Sequence, residues 1–204
     1  MLIYCMRTIA SKVESLKKSK ISNVIKRRMR DFSEVEDLFS EMCFCLLAFN
    51  YSAAGAARIQ EEIGEEFHTL TEEELVSELK ELGYRFPVIR AKYIVEARKH
   101  VKDLKKIVQR EDARVWLIKN VKGFGMKVAS HFLRNVGRPE YAILDFHIVD
   151  LLVNEGLIKR PKTLTVKKYL EIEKVLKKVA REVNLSMGEL DFYLWYLETG
   201  KVLK

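Results

Sequence analysis

Cysteine, proline and unbroken apolar stretches are what this 204-residue chain has least of. Its three cysteines, Cys5, Cys43 and Cys45, are too few and too unevenly placed for a disulfide framework or a four-ligand metal site, which leaves a reduced, cytosolic setting. No apolar run approaches the roughly 18 residues that a membrane-spanning helix needs. The opening MLIYCMRTI runs into a charged stretch with no small-residue cleavage site. A soluble protein with no membrane partner is expected. Internal repeats and low-complexity tracts are missing as well, so no solenoid or disordered linker is implied.

Three prolines in 204 residues leave long helices uninterrupted. Helix start and stop signals recur at helical distances, and the fold class expected is all-α. Ser33-x-x-Glu36, Thr71-x-x-Glu74 and Ser186-x-x-Glu189 read as capping boxes, and Pro87 as the first turn of another helix. Helix ends are expected at Gly64, Gly83, Gly137, Gly156 and Gly200, and a break near Asn50. Cys43 and Cys45 fall inside an apolar helix as core. With 48% hydrophobic residues the chain can bury a substantial core.

Charge is unevenly spread. The net charge is +8, and from Lys12 to Arg30 there are eight basic residues and one acidic, whereas Glu61 to Glu81 holds nine acidic and one basic. One face is suited to a polyanion, while the glutamate-rich segment reads as a solvated surface. Abundant Lys and Glu with few Asn and Gln is the balance of thermophilic proteins.

The most specific stretch is LIKNVKGFGMKVASHFLRN, from Leu117 to Asn135. Gly123 and Gly125 bracket Phe124 where one helix hands over to the next, and both are read as positions of unusual backbone freedom. Side-chain-free amides at a helix N-terminus form an anion cradle suited to DNA phosphate. Lys127 lies just inside the second helix. Asp145 follows 18 residues later in AILDFHIVD, where an aspartate before a helical pattern reads as an N-cap. An exposed lysine and a capping aspartate are the ordinary readings of these two residues.

Taken together, the hairpin, Lys127, Ala129 and the Asp-Phe-His triplet resemble the helix-hairpin-helix DNA glycosylases, and among them the compact second type of 8-oxoguanine DNA glycosylase/AP lyase. The likeness covers roughly Ser33 to the end. It implies a two-lobed, all-α fold without an N-terminal β domain. No iron–sulfur cluster is implied, since no cysteine follows Cys45. The expected unit is a single catalytic body: 33–110 as a central lobe, 111–155 as the hairpin and catalytic aspartate, and 1–32 with 156–204 as the second lobe.

The resemblance also implies chemistry. Lys127 would be the nucleophile and Asp145 the carboxylate that stabilises positive charge on the sugar as the base departs. Gly123, Gly125 and His147 would contact phosphate. Asn50, Arg85 and Phe86 would fill the gap left by a flipped base and read the unpaired cytosine, although Asn50 could equally cap the next helix and Phe86 could be core. Trp195, Asp191, His131 and the C-terminal Lys204 would line the base pocket, with Trp195 as the stacking ring. No cofactor is required, but a structural monovalent or divalent cation is implied on the backbone carbonyls of Lys119, Val121 and Phe124. The partner is double-stranded DNA containing oxidised guanine, met by a monomer in the cytoplasm, associated with the nucleoid. Two alternatives stay open: the same chemistry on oxidised pyrimidines, and a non-catalytic helix-hairpin-helix DNA-binding module.

Overall fold

The computed structural model describes residues 2–202, and among these no strand occurs. Twelve α-helices follow in order: α1 Leu2–Lys17, α2 Ile21–Ser33, α3 Leu38–Ala48, α4 Ala53–Ile63, α5 Glu72–Glu81, α6 Pro87–Ala97, α7 Leu104–Gln109, α8 Ala113–Asn120, α9 Met126–Asn135, α10 Phe146–Asn154, α11 Val166–Glu182 and α12 Met187–Thr199. Short 3₁₀ turns span Gly64–His68 and Arg98–Asp103. None of these helices is long and apolar enough to cross a membrane.

Local chemistry accounts for most boundaries. The Thr71/Glu74 and Ser186/Glu189 boxes are closed in both directions, each glutamate reaching back to the N-cap amide. Pro87 occupies the first turn of α6, where its missing N–H costs nothing. Gly200 ends α12 in the left-handed conformation. The Ser33 box is not formed. Ser33 remains the last residue of α2, its hydroxyl donating to the Arg30 carbonyl at 2.7 Å. Asp37 caps α3 instead, its Oδ1 accepting from the amides of Phe39 and Ser40 at 3.0 and 2.9 Å. A carboxylate one residue before the helix takes two amides at once, so it displaces a hydroxyl four residues upstream.

The chain divides into two compact units. One is the continuous segment Val35–Val136; the other joins the segment through Glu34 to the segment from Gly137. The division therefore falls inside the 111–155 stretch: the hairpin belongs to the continuous unit and Asp145 to the discontinuous one.

The continuous unit is built around α3, where Phe39, Met42, Cys43, Phe44, Cys45, Leu46 and Leu47 are all buried. Helices α4, α6 and α9 pack around it. Cys43 and Cys45 are core, and burial pushes the Cys43 thiol well above its ordinary range, so it stays an unreactive thiol. One polar network crosses this core: buried Glu41 accepts from Asn135 Nδ2 at 2.6 Å, and Asn135 Oδ1 accepts from Arg134 Nε at 2.9 Å. A satisfied buried network of this kind fixes α9 against α3 in one register.

In the discontinuous unit α1 packs on α11 and α12, α2 on α12, and α10 on α12. Phe32 of α2 stacks on Phe192 of α12, ring centroids 6.1 Å apart. Both rings are buried, and truncating such a side chain to Ala costs about 3–5 kcal/mol.

Candidate active site

Within the continuous unit, α8 and α9 form the expected hairpin. Its turn is held by the Phe124 amide donating to the Val121 carbonyl at 3.1 Å. Phe124 is buried edge-on to Phe132. Arg114 of α8 donates to Ser130 Oγ, which in turn donates to the Met126 carbonyl, tying the two helices together. The two glycines differ. Gly123 has φ +85°, and a Cβ there would lie 2.7 Å from Tyr93 and 2.9 Å from Leu46. Gly125 has φ −111° and ψ −171°, ordinary extended backbone, and a Cβ there would meet nothing within 4 Å. The expectation of unusual backbone at both positions therefore holds only for Gly123.

Gly125 is the N-cap of α9 and supplies no capping side chain. The first amides of α9 are thus presented at an uncapped positive helix end, the arrangement that accepts an anion. Lys127, half-buried, is the second residue of this helix. One turn on, on the same face, His131 packs edge-on to Phe44 with centroids 5.7 Å apart. Buried Val128, Ala129, Phe132 and Leu133 anchor the opposite face in the core.

Two other expected elements are brought to this same unit and joined. Asn50 ends α3 at φ +60°, a left-handed position that asparagine tolerates better than most residues. It does not cap α4; Ser52 does, accepting from Gly55 N at 3.0 Å. Phe86 is half-buried, and exposed Arg85 lies 5.0 Å over its ring. Arg90 and Tyr93, which sequence reasoning missed, connect these pieces. Arg90, buried, donates to the Phe49 carbonyl at 3.0 Å and lies within 6 Å of the Phe49, Phe86 and Tyr93 rings. Tyr93 is the ring against which Gly123 packs. Tyr84, buried, donates to the Leu47 carbonyl at 2.8 Å and meets Tyr51 edge-on. The Asn50 turn, the Arg85–Phe86 turn and the hairpin turn are therefore one packed assembly. The signal for Arg90 was its place four residues after Phe86, one helical turn away.

In the discontinuous unit, Asp145 caps α10 as expected, Oδ1 accepting from Ile148 N at 3.0 Å. The segment leading into it is pinned from α11. Buried Tyr169 donates to the Ala142 carbonyl at 2.6 Å and accepts from Leu144 N at 3.1 Å, while Glu173 accepts from Ala142 N at 3.0 Å. Neither residue was singled out in the sequence; two polar groups four apart on the buried face of an otherwise basic helix were the available hint. His147 lies between Phe146, 4.0 Å away, and Trp195, whose ring it meets edge-on at 4.8 Å. Of the C-terminal aromatic stripe, Phe192 and Tyr193 are core, and Trp195 and Tyr196 are partly exposed. Asp191 lines a cavity of about 10 Å³ beside Ile148 and Leu194, room for one water and far too small for a nucleobase. Lys204 lies outside the described residues.

A glycine-turned hairpin inside an all-helical unit, with an uncapped second helix and a lysine at its second position, defines the helix-hairpin-helix class. The chain matches the sequence profile of the 8-oxoguanine DNA glycosylase family over residues 25–185. It is 48% identical over 204 residues to the 8-oxoguanine DNA glycosylase/AP lyase of Korarchaeum cryptofilum, covering 96% of this chain and 98% of that one. With the Methanocaldococcus jannaschii enzyme of the same name it shares 49% identity over 205 residues, 96% and 99% of the two chains. A crystal structure of the M. jannaschii 8-oxoguanine glycosylase/lyase in complex with a 15mer DNA containing 8-oxoguanine superposes with a TM-score of 0.91, covering 97% of this chain and 100% of that one. The 8-oxoguanine DNA glycosylase of Thermotoga maritima also gives 0.91 at 42% identity, covering 98% and 100%. The chain belongs to the 8-oxoguanine DNA glycosylase family.

Proposed function

We propose that this protein is a bifunctional DNA glycosylase/AP lyase that removes 8-oxoguanine paired with cytosine from duplex DNA, with Lys127 as nucleophile and Asp145 as its partner carboxylate. The observation that carries this reading is the position of Lys127, second in a helix whose N-terminus is uncapped and preceded by the glycine turn. Family membership supports it. So does the relative bound to 8-oxoguanine DNA.

The amine attacks C1′ of the deoxyribose in its unprotonated form. The N-glycosidic bond breaks, and the base leaves with the electron pair and takes up a proton. The C1′–O4′ bond then breaks, O4′ taking up the proton that Nζ gives up, and the opened sugar is held as a protonated Schiff base between C1′ and Nζ. Removal of a C2′ proton then expels the 3′ phosphate and cuts the strand. Asp145 is fixed as an N-cap, so its carboxylate is pre-oriented to stabilise the positive charge that develops on the sugar. Reaching a base inside the duplex requires flipping it out. Phe86 wedges into the vacated stack, and Arg85 and Asn50 donate to the orphaned cytosine. Their joint packing through Arg90 supports that shared task. Gly123, Gly125 and His147 contact phosphate.

Trp195, Asp191, His131 and Lys204 are the residues this reading assigns to recognition of the base. Trp195 Nε1 is buried without an acceptor among the described residues, and a base carbonyl would supply one. 8-Oxoguanine differs from guanine at N7, which becomes an N–H donor, so an acceptor in the pocket selects the lesion. A structural cation would be held by the carbonyls of Lys119, Val121 and Phe124. Val121 O already accepts one turn hydrogen bond, which leaves its other lone pair for a cation. The protein acts as a cytoplasmic, nucleoid-associated monomer.

Borohydride trapping tests the core of this reading. Wild-type protein mixed with duplex containing 8-oxoguanine and borohydride gives a covalent protein–DNA adduct. Lys127→Gln abolishes both the adduct and strand cleavage, while lesion-DNA affinity stays within roughly tenfold because phosphate contacts dominate binding. Undiminished cleavage by the variant removes Lys127 from the mechanism. A panel of oxidised pyrimidine and 8-oxoguanine duplexes separates the two substrate classes.

A further inference from the structure

The structure sorts the basic N-terminal run into two groups. In α1 two of the three cations are engaged within the protein, exposed Arg7 being the exception: Lys12 pairs with Glu155 at 2.6 Å, and Lys17 pairs with Glu14 and donates to the Val183 carbonyl, both at 2.6 Å. In α11, the other basic helix, Lys168 pairs with Glu171 at 2.8 Å and Lys177 with Glu173 at 3.5 Å. Although Lys167, Lys174, Lys178 and Arg181 are exposed without an ion pair among the described residues, the Glu171 carboxylate sits among them, its acidity raised by Lys168, Lys167 and Lys174. Helix α2 differs. Lys20 at its N-cap, then Lys26, Arg27 and Arg30, are all exposed, and none of these four side chains has an ion-pair or hydrogen-bond partner among the described residues.

Their spacing places them together. At 3.6 residues per turn, positions 20, 23, 26, 27 and 30 fall within an arc of about 120° on one face of the helix. Exposed Asn23 is the fifth member, and the arc holds no carboxylate and no apolar side chain. The opposite face carries Ile25 and Phe32, both buried, where α2 packs on α12. The row from Lys20 to Arg30 is about 15 Å long at 1.5 Å per residue. B-DNA presents one negative charge per ~1.7 Å of axis, so a duplex laid along this row offers more phosphates than there are cations to meet them.

We propose that the outer face of α2 is a second DNA-backbone contact surface, separate from the hairpin, that binds duplex phosphate without regard to sequence or lesion. The inference rests on the DNA partner proposed above. On α11 the carboxylate of Glu171 lies among the outward cations; on α2 the one carboxylate, Asp31, lies about 20° outside the arc, and the four cations form a row with no carboxylate between them. A lipid surface is disfavoured because an interfacial helix needs its apolar face outward, and that of α2 is buried. Two arginines and two lysines with nothing apolar between them fit a regular phosphate array. Such a surface holds the protein on undamaged DNA between lesions and contributes a salt-sensitive share of its affinity.

The test uses the full chain and an undamaged duplex, so that lesion recognition plays no part. The variant K20Q/K26Q/R27Q/R30Q is compared with wild type by fluorescence anisotropy across a salt series. Each phosphate contact contributes about 0.9 to the slope of log K against log salt, so the variant's slope should be shallower by about 2 to 3.6. Affinity for lesion and undamaged duplex should fall by the same factor, at least tenfold at low salt. In wild type, saturating undamaged duplex should slow acylation of Lys20 and Lys26 at least fivefold, read by mass spectrometry. That second measurement needs no variant. An unchanged slope overturns the proposal. So does a shallower slope with Lys20 and Lys26 unprotected, since the charges then act only through a long-range field. Borohydride trapping of wild type on lesion duplex runs alongside: trapping intact with an unchanged slope removes α2 alone, whereas wild type that binds no duplex removes the DNA reading itself.

Discussion

Gly123→Ala and Gly125→Ala make the same chemical change two residues apart, and the geometry assigns them opposite consequences. At Gly123 the new methyl group sits at φ +85°, which costs about 1–2 kcal/mol for an L-residue. It also lands 2.7 Å from Tyr93 and 2.9 Å from Leu46, inside distances that real Cβ atoms avoid, and overpacking of this kind costs roughly 1–3 kcal/mol. A smaller chain entropy in the unfolded state offsets about 0.4–1 kcal/mol. The net loss is about 1–4.5 kcal/mol, or a drop in Tm of about 2–18 °C for a chain of this length. At Gly125 the backbone is extended and the space is open, so stability should move by no more than about 0.5 kcal/mol. Its methyl group would instead crowd a phosphate held at the N-terminus of α9. Blocking one charged hydrogen bond to phosphate costs about 1.5–3 kcal/mol, a ten- to hundredfold loss of duplex affinity. Urea denaturation and anisotropy on the same preparations measure both quantities. A Gly125→Ala protein that binds duplex as tightly as wild type refutes the cradle, and a Gly123→Ala protein within about 1 kcal/mol of wild type refutes the packing argument.

Asp145→Asn keeps an N-cap acceptor, so its Tm should stay close to wild type while single-turnover base release slows on the order of a hundredfold or more; a folded variant with near wild-type turnover removes the charge from the mechanism. Arg85→Ala should narrow the preference for cytosine opposite the lesion, measured as the ratio of excision rates on 8-oxoguanine paired with cytosine and with adenine, because the orphaned cytosine loses a directed donor. Unchanged ratios reassign Arg85 to plain phosphate binding.

What was legible in the chain, and what was not, divides along physical lines. Thr71 with Glu74, Ser186 with Glu189, Pro87 and Gly200 act through neighbours one turn away, so spacing alone predicts them. Asp145 as a cap was legible for the same reason. The Ser33 box failed because two candidate caps competed within five residues, and spacing does not rank a hydroxyl against a carboxylate. The difference between Gly123 and Gly125 was invisible because it depends on Tyr93 and Leu46, 30 or more residues away. Arg90 and the pinning of residues 142–144 by Tyr169 and Glu173 were missed likewise: each joins segments tens of residues apart, and local pattern holds no record of such pairings. The reactive residues proposed here, Lys127 and Asp145, come from motif order; the residues that hold their segments in place act through pairings that motif order does not contain.

The division of the chain at Glu34 and Gly137 has a consequence for how the protein is made. Val35–Val136 is compact within one continuous stretch, so its core can begin to close once residue 136 has left the ribosome. Helices α1 and α2 emerge first but pack on α11 and α12, which are synthesised last. At typical elongation rates of 5–20 residues per second they wait roughly 10–30 s with their apolar faces uncovered. The hairpin can therefore be complete on a nascent chain that has not yet made Asp145, and protease resistance acquired in two steps during translation would report that order.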